Sequence, residues 1–404
     1  AAVLAEAALA AMPSLTRLDM SDIIAGRETS IGLAVLATVG DAVAKSGAPL
    51  RELLCNDNAL GPRGIEAMRS LLTTVKSLAR YEFCNDGLSS ESMEMIRDIL
   101  LFRGADTETR LEKLAFWNNM SGDGGARALA DVVRLSPSLE VVRMSSTRCG
   151  MDGGAVLLAA LDETCRKLTS LDLSDNTFNE ACAPQLGSVV SHNPGLLSLN
   201  LSDLNIENDG VAAVLLALSQ APGTLPLEEL DMSFSGIVGH ECLANLVPAC
   251  KNAPNLRKLW LEESEIGSRG AMMVARAAEV GGGKLRDVNL KMCCIKRRGA
   301  VALALALCGG AAAGPAATVQ LDVNGNEISE AGLAELQEIF SAREETTLGS
   351  FSDNEEDCDD EEEFDEADIA NDVQQEGGIG GGVGGGRVGG EVDALAGAMA
   401  GMGV

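Results

Sequence analysis

The side chains best equipped for nucleophilic, acid-base or metal chemistry are few in this chain: two histidines, His192 and His240, and eleven cysteines among 404 residues. Their spacing fits no such site. There is no H-E-x-x-H and no zinc-ribbon cysteine pair, and Gly281, Gly282, Gly283 and Lys284 lack the leading Gly and the closing Ser or Thr of a phosphate loop. The glycine run at 381–386 has neither a strand before it nor a helix after it, so it is no dinucleotide loop. Both histidines are expected in or near loops as ordinary surface residues. An odd cysteine count without disulfide spacing reads as reduced core residues of a cytosolic or nuclear protein. No self-contained catalytic site and no metal are therefore expected. What remains are amides, which donate and accept hydrogen bonds at once, and carboxylates, which attract basic partners.

The elements that position those groups are repeated. Eleven times between Leu15 and Ile328 the chain writes L-x-x-L-x-L-x-x-N-x-L followed by a helical stretch, clearest at Leu168, Leu171, Leu173, Asn176 and Phe178. The step averages about 30 residues, enough for one strand and one helix, and the pattern is that of a leucine-rich repeat array. Alternating leucines point inward from a short parallel strand, while 124–133 and 210–218 carry helical apolar spacing and pack outside it. No unit buries its own face, so an α/β solenoid of the ribonuclease-inhibitor type is predicted, its strands lining a concave surface. At the ninth position an inward Asn satisfies neighbouring backbone groups. Asn58, Asn119, Asn176 and Asn326 stand there, Cys293 is a permitted substitute, and Asp86, Thr147, Leu204, Ser235 and Ser264 weaken the ladder.

Positions five, seven and eight of each repeat point away from the core. They place Asp19, Asp22, Asp57, Glu82, Asp172, Asp175, Asp203, Asp231, Glu262, Glu263 and Asp322 on one face against Arg143 and Lys291. Trp117 and Trp260 also fall at outward positions, either as interface anchors or as rings packed along the sheet. The net charge of −29 excludes nucleic acid and anionic membranes as natural partners and favours a basic protein. The apolar run 299–321 is broken by Gly309, Gly310, Gly314 and Pro315 and coincides with a repeat helix, so membrane insertion is not expected. No secretory signal is visible, and the opening at Ala1 inside a helical run suggests a beginning further upstream. Composition divides the chain into a repeat region 1–345, an acidic disordered segment 346–376 and a Gly-rich tail 377–404.

Four early segments carry a more specific pattern. Ser21, Asp22, Gly26 and Arg27 lie in a stretch that resembles the S-D-x-x-x-G-R segment of the Ran GTPase-activating proteins. Asn56 to Pro62 resembles that family's D-N-A-x-G-P turn, and Asn85, Asp86, Gly87 and Leu88 resemble its N-N-G-L or N-D-G-I strand end. Trp117 to Asp123 and Ser136 to Glu140 look like the plant and algal branch, and an acidic block after the repeats is also a family feature. The branch's Trp-Pro-Pro targeting motif does not occur in these residues, and the Gly-rich tail does not look like the C-terminal domain of the animal proteins.

The resemblance implies an activator of GTP hydrolysis on the small GTPase Ran in its GTP-bound form, supporting nucleocytoplasmic transport, with a Ran-binding protein as a further candidate partner. GTP and Mg²⁺ would belong to the GTPase, and this chain would hold no cofactor. The family orders the GTPase's own glutamine with an asparagine rather than inserting an arginine finger. That Asn maps to Asn85 and the family's Arg to Arg27, which would either touch the GTPase or hold a loop by a contact to a carboxylate such as Asp57. Asn56, Asp57 and Asn118 on the same rim are candidate contacts, with Asp22, Asp172, Asp175, Asp203, Trp117 and Trp260 beyond them. A cytoplasmic location follows, with the nuclear envelope as the family's other site. The competing expectation is a non-catalytic scaffold or inhibitor that captures a basic protein on its acidic face.

Overall fold

The computed structural model describes residues 12–104, 110–309, 318–343 and 346–354. Short strands succeed one another in chain order: β1 (Arg17–Asp19), β2 (Glu52–Leu54), β3 (Arg80–Cys84), β4 (Lys113–Trp117), β5 (Val141–Arg143) and β6 (Ser170–Asp172). They continue as β7 (Ser198–Asn200), β8 (Glu229–Asp231), β9 (Lys258–Trp260), β10 (Asp287–Asn289), β11 (Val319–Asp322) and β12 (Thr346–Leu348). All twelve form one parallel sheet in the order of the sequence. Register follows the repeat: Leu18, Leu53, Tyr81, Leu114, Val142, Leu171, Leu199, Leu230, Leu259, Val288, Leu321 and Leu348 are successive partners in one inward column. Two residues on, Phe83 and Phe116 stack in the core with centroids 5.6 Å apart.

Helices return the chain along the outside. Glu207–Gln220 buries Gly210, Val211, Val214, Leu215, Ala217 and Leu218, one apolar stripe at helical spacing. Its entry requires a glycine, because a Cβ on Gly210 would stand 2.4 Å from the Cβ of Ile206; Gly270 repeats the arrangement against Ile266. Neighbouring strands lie about 4.8 Å apart whereas helices need about 10 Å, so stacking bends the array with the strands on the inside.

The ladder holds the turns together. Asn58 donates its amide to the carbonyls of Met20 and Cys55 at 2.8 and 2.9 Å and accepts from the N–H groups of Ile23 and Ile24. Asn119, Asn176 and Asn326 repeat the pattern, and Cys293 points its thiol at the Leu261 carbonyl. The ten described cysteines are all free, most of them buried. No described helix is long and apolar enough to cross a membrane.

The eleven strand-helix repeats are followed by a twelfth strand. β12 pairs with β11 beyond the expected limit at residue 345, Leu348 and Phe351 pack on the core, and Asn354 caps Ile328 from both sides. Its Thr-Thr-Leu lacks the leucine phrase of the other strands. The rest of the acidic segment and the Gly-rich tail lie outside the described residues. Removing 344–404 should lower the melting temperature by about 3 °C or more relative to removing 355–404; equal melts for the two truncations would contradict a structural role for the last strand.

Candidate functional site

Every repeat leaves its strand through the same backbone turn, and the eighth residue occupies the left-handed region, from Asp22 at φ 53° to Met292 at φ 54°. Asn and Asp tolerate that conformation. Asn85 is one of these residues (φ 53°), exposed at the end of β3, while its neighbour Asp86 is fully buried. The Asn85 amide donates to Oδ1 of Asp57 at 2.9 Å. Because a carboxylate only accepts, this contact sets the amide's orientation, leaving its carbonyl and a second N–H turned to solvent. Asp57 itself stands at φ 62°, and Asn56 behind it bridges Glu82 and the Cys84 N–H, each at 2.9 Å. Burial would raise the Glu82 carboxyl, but hydrogen bonds from Lys113 and Asn56 outweigh it and leave it below its ordinary value.

Asn85, Asn118, Ser146, Arg148, Asp175 and Asp203 line an open groove of about 540 Å³ along the rim. Asp175 and Asp203 are exposed in it, and partial burial together with Asp175 raises the Asp203 carboxyl. Arg148 is the residue that sequence reasoning missed. It stands exposed at φ 59° two residues beyond the outward positions, on a turn whose direction the strand period does not specify.

Arg27 is exposed in the loop after β1, and its Nε donates to the Ile23 carbonyl at 2.7 Å. The expected alternative, a contact to Asp57, is not what the structure displays: Asp57 takes Asn85. Asp22 is exposed on the same rim. Both tryptophans are half-buried with a cation over the ring. Arg143 covers Trp117 at 3.9 Å and pairs with Asp172 at 2.8 Å; Lys258 lies 5.6 Å from the Trp260 ring, whose N–H donates to Asp287. The concave face is also less one-sided than the outward positions implied. Position three alternates to the same side and supplies Arg17, Arg80, Lys113 and Lys258, paired with Glu52, Glu112, Glu82 and Glu229 respectively. His192 is exposed at the last residue of a helix, next to a loop, 2.6 Å from Asp162.

A family model described as a leucine-rich repeat matches residues 164–179, the sixth repeat and its approach. The twelve-stranded architecture is that of a leucine-rich repeat solenoid. The chain is 37% identical over 157 residues to RAN GTPase-activating protein 2 of Arabidopsis thaliana, covering 39% of this chain and 27% of that protein. It is 25% identical over 264 residues to the ribonuclease inhibitor of Sus scrofa, covering 64% of this chain and 56% of that one. The repeat protein thus spans between about a quarter and just over half of these relatives' lengths. Among solved structures, a chain of the yeast Rad7 and Elc1 complex shares the fold at 14% identity and a TM-score of 0.54, covering 86% of this chain and 88% of that chain.

Proposed function

We propose that this leucine-rich repeat protein activates GTP hydrolysis on the small GTPase Ran, with Asn85 as the group that acts. The observation carrying the proposal is the Asn85 amide, held by Asp57 at an exposed rim with an acceptor and a donor left over, above an open groove. GTP hydrolysis in small GTPases is slow because the attacking water and its glutamine are poorly fixed. A carboxamide presenting both a donor and an acceptor can hold a glutamine side chain in one orientation, converting a rare geometry into the resident one. Partial identity to RAN GTPase-activating protein 2 supports Ran as the partner. GTP and Mg²⁺ remain with the GTPase, and Arg27, tied to Ile23, supports the first turn of the rim rather than neutralising phosphate charge.

The test is phosphate release from Ran loaded with GTP in the presence of catalytic amounts of the repeat protein. Multiple turnovers per molecule are expected; binding without acceleration would leave the second reading, a scaffold that captures a basic protein, which the likeness to ribonuclease inhibitor supports.

The rim charges have their own expected effect. Asp175→Asn with Asp203→Asn keeps the left-handed turns while removing two exposed carboxylates, and should slow association with Ran several-fold at low salt. The difference should shrink as ionic strength rises past 0.1 M, where screening reaches about 10 Å. Unaltered association rates at low salt would place docking elsewhere.

A further inference from the structure

The left-handed eighth position is an exacting place for a side chain, because a Cβ there crowds the following carbonyl and only Gly, Asn and Asp adopt it readily. Eight of the eleven repeats supply Asp, Asn, Ser or Gly. Three consecutive repeats do not: Phe234, Glu263 and Met292 hold φ of 55°, 54° and 54°. Phe234 is 40% exposed and Met292 54%, with Val238 beside them at 61%. These side chains add little to the core and nothing to the turn. Backbone strain kept together with exposed apolar surface marks a binding surface.

Phe234, Val238, Met292 and the exposed Cys294 line an open groove of about 560 Å³ at the ends of β8 to β11. Met292 lies across Gly325, where a Cβ would stand 2.8 Å from its Cγ. The charged groups lining the groove are Asp203, Glu263, Glu265 and Glu327, without a Lys or Arg. A lining in which apolar side chains alternate with carboxylates, Glu263 standing between Phe234 and Met292, repels nucleic acid and anionic lipid, and complements a peptide segment that alternates cations with apolar anchors. Methionine adds a flexible, polarisable surface that moulds to an inserted side chain.

We infer that this groove docks a basic segment of a protein partner, with apolar side chains between its Lys or Arg residues. The site goes beyond the activator reading: it adjoins the Asn85 groove at Asp203 but extends over the later repeats.

Fluorescence anisotropy on the full chain, with two labelled peptides of equal length and equal Lys content, tests this. One carries Leu between its lysines and the other Ser. The Leu peptide should bind at least about 10-fold more tightly, a difference that buried apolar anchors commonly supply. Phe234→Asn with Met292→Asn should abolish the preference while leaving the melting temperature unchanged or higher, since Asn suits the turn. Val238→Ser, outside the eighth position, should weaken the Leu peptide as well. Equal affinities of the two peptides for the wild-type chain, or a preference that survives in the double variant, overturn the proposal. Asn85→Ala should bind the Leu peptide as wild type does. A chain that keeps the preference yet fails to accelerate GTP hydrolysis would sink the activator reading alone.

Discussion

Asn85→Ala should cut stimulated GTP hydrolysis on Ran by at least about 100-fold in single turnover at saturating repeat protein, or about 2.7 kcal/mol at the transition state. One side chain among the many of the rim contributes little docking area, so binding should largely survive. Folding carries a smaller penalty. Alanine must occupy φ near 53°, which Asn tolerates, and the hydrogen bond to Asp57 is lost; together these should cost about 1 kcal/mol. Asn85→Gly separates the two effects, because glycine relaxes the turn and also lacks the amide. It should melt close to wild type and hydrolyse as slowly as the alanine variant. Asp86→Ala is the contrasting control: removing a buried ladder residue should lower stability by about 1 to 3 kcal/mol while sparing the exposed amide next to it. Near wild-type stimulation by both Asn85 variants would falsify the assignment and favour a binding scaffold.

Asp86→Asn should make the repeat protein progressively more stable than wild type as pH rises from 5 to 8. Oδ1 of Asp86 accepts the Asn58 N–H, just as Oδ1 of Asn119 accepts the Asp86 N–H, so Oδ2 stands where other repeats place a donating amide nitrogen. Oδ2 is buried and meets no hydrogen-bond partner among the described residues. A proton on it supplies the missing donor; a negative charge there would face carbonyl oxygens. Burial, with the Asp57 carboxylate adding to it, pushes the Asp86 carboxyl up to about 8. The neighbouring Cys55 and Cys84 thiols are raised by burial as well and stay neutral below that pH.

The sign follows from proton counting. Between about pH 4, where an unfolded aspartate ionises, and about pH 8, the native state binds one proton more than the unfolded chain. Wild-type stability attributable to this group is therefore complete at low pH and declines by about 1.4 kcal/mol per unit until it levels off above 8. From pH 5 to 8 the difference between wild type and Asp86→Asn should change by about 4 kcal/mol, because all other titrations cancel. Urea midpoints at each pH measure it; parallel curves for the two proteins would mean that Asp86 is already charged in the native state.

Much of this architecture can be read from one repeat at a time. The inward column from Leu18 to Leu321, the ladder residues Asn58, Asn119, Asn176 and Asn326, and the outward exposure of Asn85 all depend on which side of a strand a residue faces, and a period of two states that locally. The same period also brings Arg17, Arg80, Lys113 and Lys258 onto the concave face, where their pairing with acids of adjoining strands became visible only with the register between repeats. Contacts that join residues about 28 apart are of that second kind. The Asp57 carboxylate that orients Asn85, the empty donor place beside Asp86, the pairing of β12 and the capping of Ile328 by Asn354 each need two turns stacked at a definite height. The rim lies further still from the sequence. Arg27 bonding Ile23, Arg148 turning into the Asn85 groove, and Phe234 and Met292 held in left-handed turns that their own side chains disfavour are set by how the whole array stacks, because packing across neighbouring repeats outweighs the backbone preference of any single residue.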